Sequence, residues 1–187
     1  MKRSIIENEH IGKAFAVGRW QDVLTYRDGT KKLLPVGEFE WGWNQIQNVF
    51  RTLLACWCRD EPGYSRIGFM GIGTGLPGWD TTPPTQSYDQ ATLEAEYYRL
   101  TIPQGDIIFI DPVSGSPTGY PTNKLEITVN IGYSEANGTM REFGLFGGAA
   151  TSTLDSGEIV NWIVHDRIDK TSGFEIQRKV RIEFVTV

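Results

Sequence analysis

The sequence predicts a mainly β fold, an antiparallel β-sandwich carrying one packed amphipathic helix, and three observations support it. Over residues 124–133, Leu125, Ile127, Val129, Ile131 and Tyr133 alternate with Glu126, Thr128, Asn130 and Gly132, the period of a strand with one dry face and one wet face. Within about residues 43–58, Ile46, Val49, Phe50, Leu53, Leu54 and Trp57 recur at spacings of three and four, which places them on one helical stripe. Residues 73–90 and 111–122 are rich in proline and glycine and carry neither period, so they read as long loops. Short strands joined by long loops, with a single helix, point to a sandwich.

In chain order, residues 1–12 form a polar N-terminal arm. Apolar and polar residues alternate over 14–26 and 31–39, and the intervening Asp28-Gly29 suits the positive φ angles of a hairpin turn. The helix over about 43–58 is closed by Pro62-Gly63, and residues 66–72 read as a short buried strand. After the 73–90 loop, Leu93 and Tyr97 share a face, which predicts a brief helical turn within 89–99 leading into a strand. Ile107–Ile110 is a short strand ahead of the 111–122 loop. Asn137-Gly138 then turns the strand at 124–133 back into 139–146 as its antiparallel partner. Residues 159–164 give another strand. Phe174, Ile176, Val180, Ile182 and Phe184 line one face of the last strand, whose pattern Arg178 interrupts. With 187 residues, 40% of them hydrophobic, the chain is sized for a single domain, residues 1–187, with a core of its own.

A formal net charge of −5 gives no basic field, and the Lys31-Lys32 and Arg178-Lys179 pairs are too small to create one. A nucleic acid partner is not expected. The longest purely aliphatic or aromatic run, Ile107–Ile110, is far too short to cross a bilayer, and the basic start at Lys2-Arg3 is not followed by an apolar run; neither a membrane span nor a signal peptide is expected. Cys56 and Cys58 sit two apart on the helix and point in different directions, so no disulfide is expected between them.

The most tempting chemical motif is Gly73-Thr74-Gly75-Leu76-Pro77-Gly78, which matches the dinucleotide fingerprint after a strand. The fingerprint requires a helix N-terminus for the pyrophosphate, and the adjoining Trp79-Asp80-Thr81-Thr82-Pro83-Pro84 cannot propagate a helix. The glycines therefore read as a connector, and no cofactor is expected. His10 and His165 are the only histidines, His10 in a polar terminus and His165 read as a surface turn beside Asp166 and Arg167. Neither supports a triad or a zinc site. The carboxylate pairs Glu94 with Glu96 and Asp166 with Asp169 are of the type that serves glycoside hydrolysis, but 23 acidic residues produce such pairs by chance. Asn137-Gly138-Thr139 is a formal glycosylation sequon better read as a turn. Of the six tryptophans, Trp43 and Trp57 read as core; Trp20, Trp41, Trp79 and Trp162 stay open, with Trp79 the best exposed anchor.

The order of local features resembles structural proteins of tailed-bacteriophage virions of the tail-fibre, baseplate or tail-adaptor type. A helix precedes an apolar strand ending in Ile72-Gly73-Thr74-Gly75; a loop leads to Leu93-Glu94-Ala95-Glu96-Tyr97-Tyr98-Arg99; Arg141-Glu142-Phe143-Gly144-Leu145-Phe146 forms a strand; residues 163–170 joined to 180–184 read as a closing hairpin. The resemblance implies a non-enzymatic virion subunit, made in the host cytoplasm, whose partners are other virion proteins and copies of itself. On this reading the loops at 73–90 and 111–122 make the contacts, with Trp79, Tyr88 and Tyr120 as aromatic anchors. The alternatives are a capsid decoration or cement protein, and a carbohydrate-binding module for host-surface glycans that uses Trp79 and Tyr120.

Overall fold

A computed structural model describes residues 16–35, 41–85 and 87–185. The expected N-terminal arm, His10 and the end of the strand read at 31–39 lie outside the described residues. The elements are β1 (Ala16–Tyr26), β2 (Lys31–Leu34), β3 (Gly42–Ile46), α1 (Val49–Arg59), β4 (Ser65–Gly73), β5 (Glu96–Thr101), β6 (Ile107–Ile110), β7 (Pro117–Thr118), β8 (Lys124–Ile131), β9 (Gly138–Gly148), β10 (Glu158–Lys170) and β11 (Phe174–Phe184). Among the described residues the fold is mainly β with one α-helix, as the alternation and the single helical stripe predict.

All these strands belong to one antiparallel sheet ordered β5-β4-β9-β10-β3-β1-β11-β8-β6-β7, with β2 paired to β1. The sheet is folded over on itself. β9 and β11 stand four steps apart in that order, about 19 Å if the sheet were flat. Yet the Arg178 guanidinium of β11 lies 3.7 Å from the ring centre of Phe143 in β9. The corner is β3, whose Gly42, Trp43 and Asn44 pair with β1 while Gln45 and Ile46 pair with β10, the way a strand switches between two packed layers. The sandwich is thus one continuous sheet with two facing leaves: β1, β2, β11, β8, β6 and β7 in the first, and β10, β9, β4 and β5 in the second.

The leaves meet through one core that takes Trp20, Leu24, Ile127, Ile131, Ile176 and Val180 from the first and Ile67, Met70, Ile72, Phe143, Leu145 and Ile163 from the second. A second apolar cluster, Leu93, Phe146, Ala150, Ile159 and Trp162, lies on the outer side of the second leaf beneath residues 74–95 and 149–157. This explains why β9 is buried almost without interruption while β1 and β11 alternate: β9 is covered on both faces.

Inside the main core, the residue that breaks the β11 pattern is the largest fully buried side chain. Asp22 and Arg178 are cross-strand partners on the inner face. Arg178 Nε and Nη2 donate to the Asp22 carboxylate at 2.7 and 2.6 Å, and neither side chain is exposed to solvent. The guanidinium also lies over Phe143 and within 5.9 Å of the Trp20 ring centre.

Several local expectations are corrected. The helix begins at Val49, not near residue 43, because Gly42–Ile46 is the corner strand; Ile46 satisfies both the helical and the strand period. The helix ends at Asp60, which takes a left-handed conformation (φ 55°) and donates its N–H to Trp57 O while Glu61 N–H reaches Cys56 O, a Schellman finish. Residues 89–95 form no helix: Leu93 enters the second cluster and Tyr97 lies in β5. The 111–122 loop contains the short strand β7, paired to β6. Neither the hairpin expected at Asn137-Gly138 nor the closing hairpin forms, since β8 pairs with β11 and β6, and β9 with β10 and β4. The turns at 132–137 and 171–173 instead carry the chain from one leaf to the other. Lys170 holds both, its buried ammonium donating to Gly132 O, Tyr133 O, Asn137 Oδ1 and Thr171 O at 3.0–3.4 Å.

Asp22→Ala leaves a guanidinium buried without its counter-ion and is expected to cost about 3–5 kcal/mol in urea unfolding, whereas replacing both residues by apolar ones of similar volume costs far less. Equal losses in the single and double variants would show that the pair has no coupled role.

Candidate functional site

The cover over the second leaf is held by buried charges as well as by the apolar cluster beneath it. Glu142, on the outer side of β9, is fully buried and accepts from Glu94 N–H (3.1 Å), Ala95 N–H (2.9 Å) and Trp162 Nε1 (2.8 Å). Gly73 is its cross-strand partner in β4, and a Cβ there would overlap the carboxylate. Gly75 adopts φ +54° with the Trp79 ring packed against it. Arg141 grips Asp80 through two bonds of 2.6 and 2.8 Å and donates to Thr74 O at 3.0 Å; the Arg141 bonds hold the Asp80 carboxyl below the ordinary range. The Gly73-Thr74-Gly75 element therefore lets Glu142 and Trp79 approach the backbone. It leads into a single 3-10 turn, Pro77–Asp80, with no α-helix to receive a pyrophosphate.

Residues 149–157 are tied down in the same way. Arg99 binds Glu96 bidentately at 2.6 Å and donates to Ser156 O at 2.7 Å, and Asp155 N–H donates to Glu96 at 2.6 Å. The Arg99 guanidinium lies 4.2 Å above the Phe146 ring. The Glu96 carboxylate is thus buried and committed to structure, while Glu94 is exposed. Asp166 and Asp169 are exposed; Asp169 accepts from Arg167 and Thr139, and the Arg167 bond lowers its pKa.

His165 is no surface turn but lies inside β10, its ring packed on Trp20 and Phe143 at centroid distances of 5.6 and 5.8 Å. Burial first, and the Arg178 charge second, push its pKa down to about 3. A neutral ring fits the contacts: Nδ1–H donates to Asp166 O at 2.7 Å, leaving Nε2 to accept from Arg178 Nη2 at 3.4 Å. Among the described residues, no group of three or more His, Cys, Asp and Glu is placed to hold a metal ion.

The aromatic anchors separate. Trp79 is half-buried, packed edge-on to Trp162 at 6.1 Å within the second cluster, so the exposure expected of it does not hold. Tyr88 (44% exposed) and Tyr120 (58%) do face solvent. Trp43, read from the sequence as core, is 47% exposed on the outer face of the first leaf, with Arg19 stacked on it at 4.4 Å. Trp20 and Trp162 are buried in the two clusters, and Trp57 is half-buried.

The 111–122 loop is organised around one carboxylate. Asp111 Oδ1 accepts from Val113 N–H and Ser114 N–H at 3.0 and 2.7 Å, and Oδ2 from the Tyr120 hydroxyl at 2.9 Å. These bonds, Ser114 N–H foremost, lower the Asp111 pKa. Asp111 N–H and Ser116 O close the base. The loop is braced from within and presents Val113, 95% exposed, and Tyr120 to solvent; the glycine-rich composition bears no sign of this bracing. No protein-family model, curated protein or solved structure matches the chain.

This geometry sets two expected outcomes. Gly73→Ala forces Glu142 out of its place and should cost about 1–3 kcal/mol, with faster thermolysin cleavage within 74–95; unchanged cleavage would separate the cover from Glu142. His165 is neutral when folded but takes a proton near its ordinary pKa when unfolded. Stability is therefore complete above pH 6.5 and falls by up to about 1.4 kcal/mol per pH unit as pH drops towards 3. His165→Gln should flatten the stability curve between about pH 6.5 and 5.5, where ordinary carboxylates are mostly ionised, and an unaltered slope there would show that His165 is accessible to protons in the fold.

Proposed function

We propose that the chain is a non-enzymatic structural subunit of a tailed-phage virion, in the tail, baseplate or neck, and that it works by protein–protein assembly. The observation that carries this reading is the 111–122 loop. Its conformation is braced by Asp111 before any partner arrives, and it leaves an aliphatic and an aromatic side chain, Val113 and Tyr120, exposed to solvent. Pre-ordering of this kind lowers the entropy cost of binding, and tyrosine is among the residue types that dominate binding energy at interfaces. The order of sequence elements that resembles virion proteins supports the same conclusion.

The carbohydrate-binding alternative needs Trp79 and Tyr120 as stacking platforms. Trp79 is drawn under the cover against Trp162, which leaves that reading with Tyr120.

Mass spectrometry and immunogold labelling of particles purified from an infected culture should find the chain at the tail or neck. Labelling confined to the capsid would favour the cement alternative, and absence from particles would overturn the reading. Val113→Asp, which keeps the Asp111–Tyr120 bond and the Val113 backbone bond in place, should lower incorporation by about tenfold, because a charge would have to be buried at the contact, while leaving the melting temperature of the isolated chain unchanged.

A further inference from the structure

We infer that the chain docks head to tail on copies of itself, with the outer face of the first leaf of one copy seated on the cover of the second leaf of the next. The inference rests on the assembly reading and names a partner for it. Three observations carry it.

The first is charge. On the outer face of the first leaf, strand register sets Trp43, Arg19, Arg181 and Glu126 in one row. Among the described residues of this row and its neighbours, Arg19, Lys124, Lys179 and Arg181 stand against Glu126 and Glu183, four positive charges less two negative, or +2, with Lys124 paired to Glu183 and Lys179 and Arg181 sharing Glu126. The cover has the opposite character. Segments 74–95 and 149–157 contain no Lys or Arg and hold Asp80, Asp89, Glu94 and Asp155. Arg141 neutralises Asp80, while Asp89, Glu94 and Asp155 are exposed. A basic face on a chain of net charge −5 is therefore matched by an acidic surface of the same molecule.

The second is apolar content. Of the exposed large apolar side chains, Leu33 and Trp43 belong to strands of the first leaf and the corner, and Leu76, Tyr88 and Leu154 to the cover. Arg19 stacked on exposed Trp43 is the combination that dominates binding energy at interfaces.

The third is placement. The outer face of the first leaf and the cover over the second are turned in opposite directions from the shared core. Contact between them cannot be two-fold. It is heterologous, and it repeats until a ring closes or a filament grows.

The test is sedimentation velocity on the full chain over a salt series, with two charge-reversed variants. Arg19→Glu with Lys179→Glu turns the face from +2 to −2; Asp89→Lys with Glu94→Lys reverses the cover. None of these side chains is buried, and thermal melts would confirm that each variant folds. The wild type should associate at low salt and dissociate as salt screens the contact. Each variant alone should associate at least about tenfold more weakly, since like charges then face each other. An equimolar mixture should recover association, because each reversed surface meets its complement. A wild type that is monomeric at every salt concentration, a variant that associates like the wild type, or a mixture that stays monomeric would each overturn the contact. Finding the chain in particles alongside any of those results would leave the assembly reading standing, and salt-dependent association of a chain absent from particles would do the reverse.

Discussion

The Asp22–Arg178 pair is the constraint around which the two leaves are set. Burying two charges is unfavourable, and Arg178 Nη1 has no hydrogen-bond partner among the described residues, so the pair is better understood as fixing the arrangement than as adding net stability. It does this in two directions. Along the sheet, a slip of two residues between β1 and β11 would set the guanidinium opposite Trp20 or Leu24 with no counter-ion. Across the core, Phe143 and His165 of the second leaf accept the remaining face and edge of the guanidinium, so the leaves are positioned relative to each other by the same group that fixes register within one of them.

The second leaf repeats the device on its other side. Glu142 is held by N–H donors of the cover and of Trp162, while Glu96 and Asp80 take arginines. Each anchors a stretch of irregular backbone that could not bury enough apolar surface to order itself. Glycines at 71 and 73 make the anchors possible, since a side chain at either would overlap Glu96 or Glu142. Long loops with few apolar residues are thereby held as a fixed outer layer, with acidic and apolar side chains left on its surface.

The parts of this that a sequence displays are those in which one strand has one dry face. β8 and β11 alternate and are legible in the residue pattern, as is the Asp28-Gly29 turn. β9 hides its period because Glu142, Gly144 and Phe146 are buried beneath the cover while Phe143 and Leu145 face the core. Arg178 reads as an interruption because its partner lies 156 positions away, and His165 reads as surface because its charged neighbours in sequence, Asp166 and Arg167, lie outside the ring's apolar surroundings. Partner choice fails for the same reason: Asn137-Gly138 does mark a turn, but the cage of oxygens around Lys170 makes that turn a crossing between leaves. Trp79 and Trp43 exchange roles because proline and glycine around one, and a helical spacing around the other, say nothing of which layer lies above them.

Association through faces and loops, rather than through strand addition, is also favoured by how the sheet ends. β5 and β6 stand towards opposite ends of the strand order yet are joined by five residues that include fully buried Ile102, so the seam between the leaves is bridged by the chain itself. Beyond β6 the sheet finishes in β7, two residues long and beginning with Pro117, and the side edge of β1 is closed in part by β2, which carries Lys31 and Lys32 exposed. Short length, proline and lysine on terminal strands all discourage edge-to-edge pairing. A neighbour is left to grip the outer face of the first leaf around Arg19 and Trp43, the acidic cover of the second, and the Asp111-braced loop, three surfaces whose shapes are settled before any contact is made.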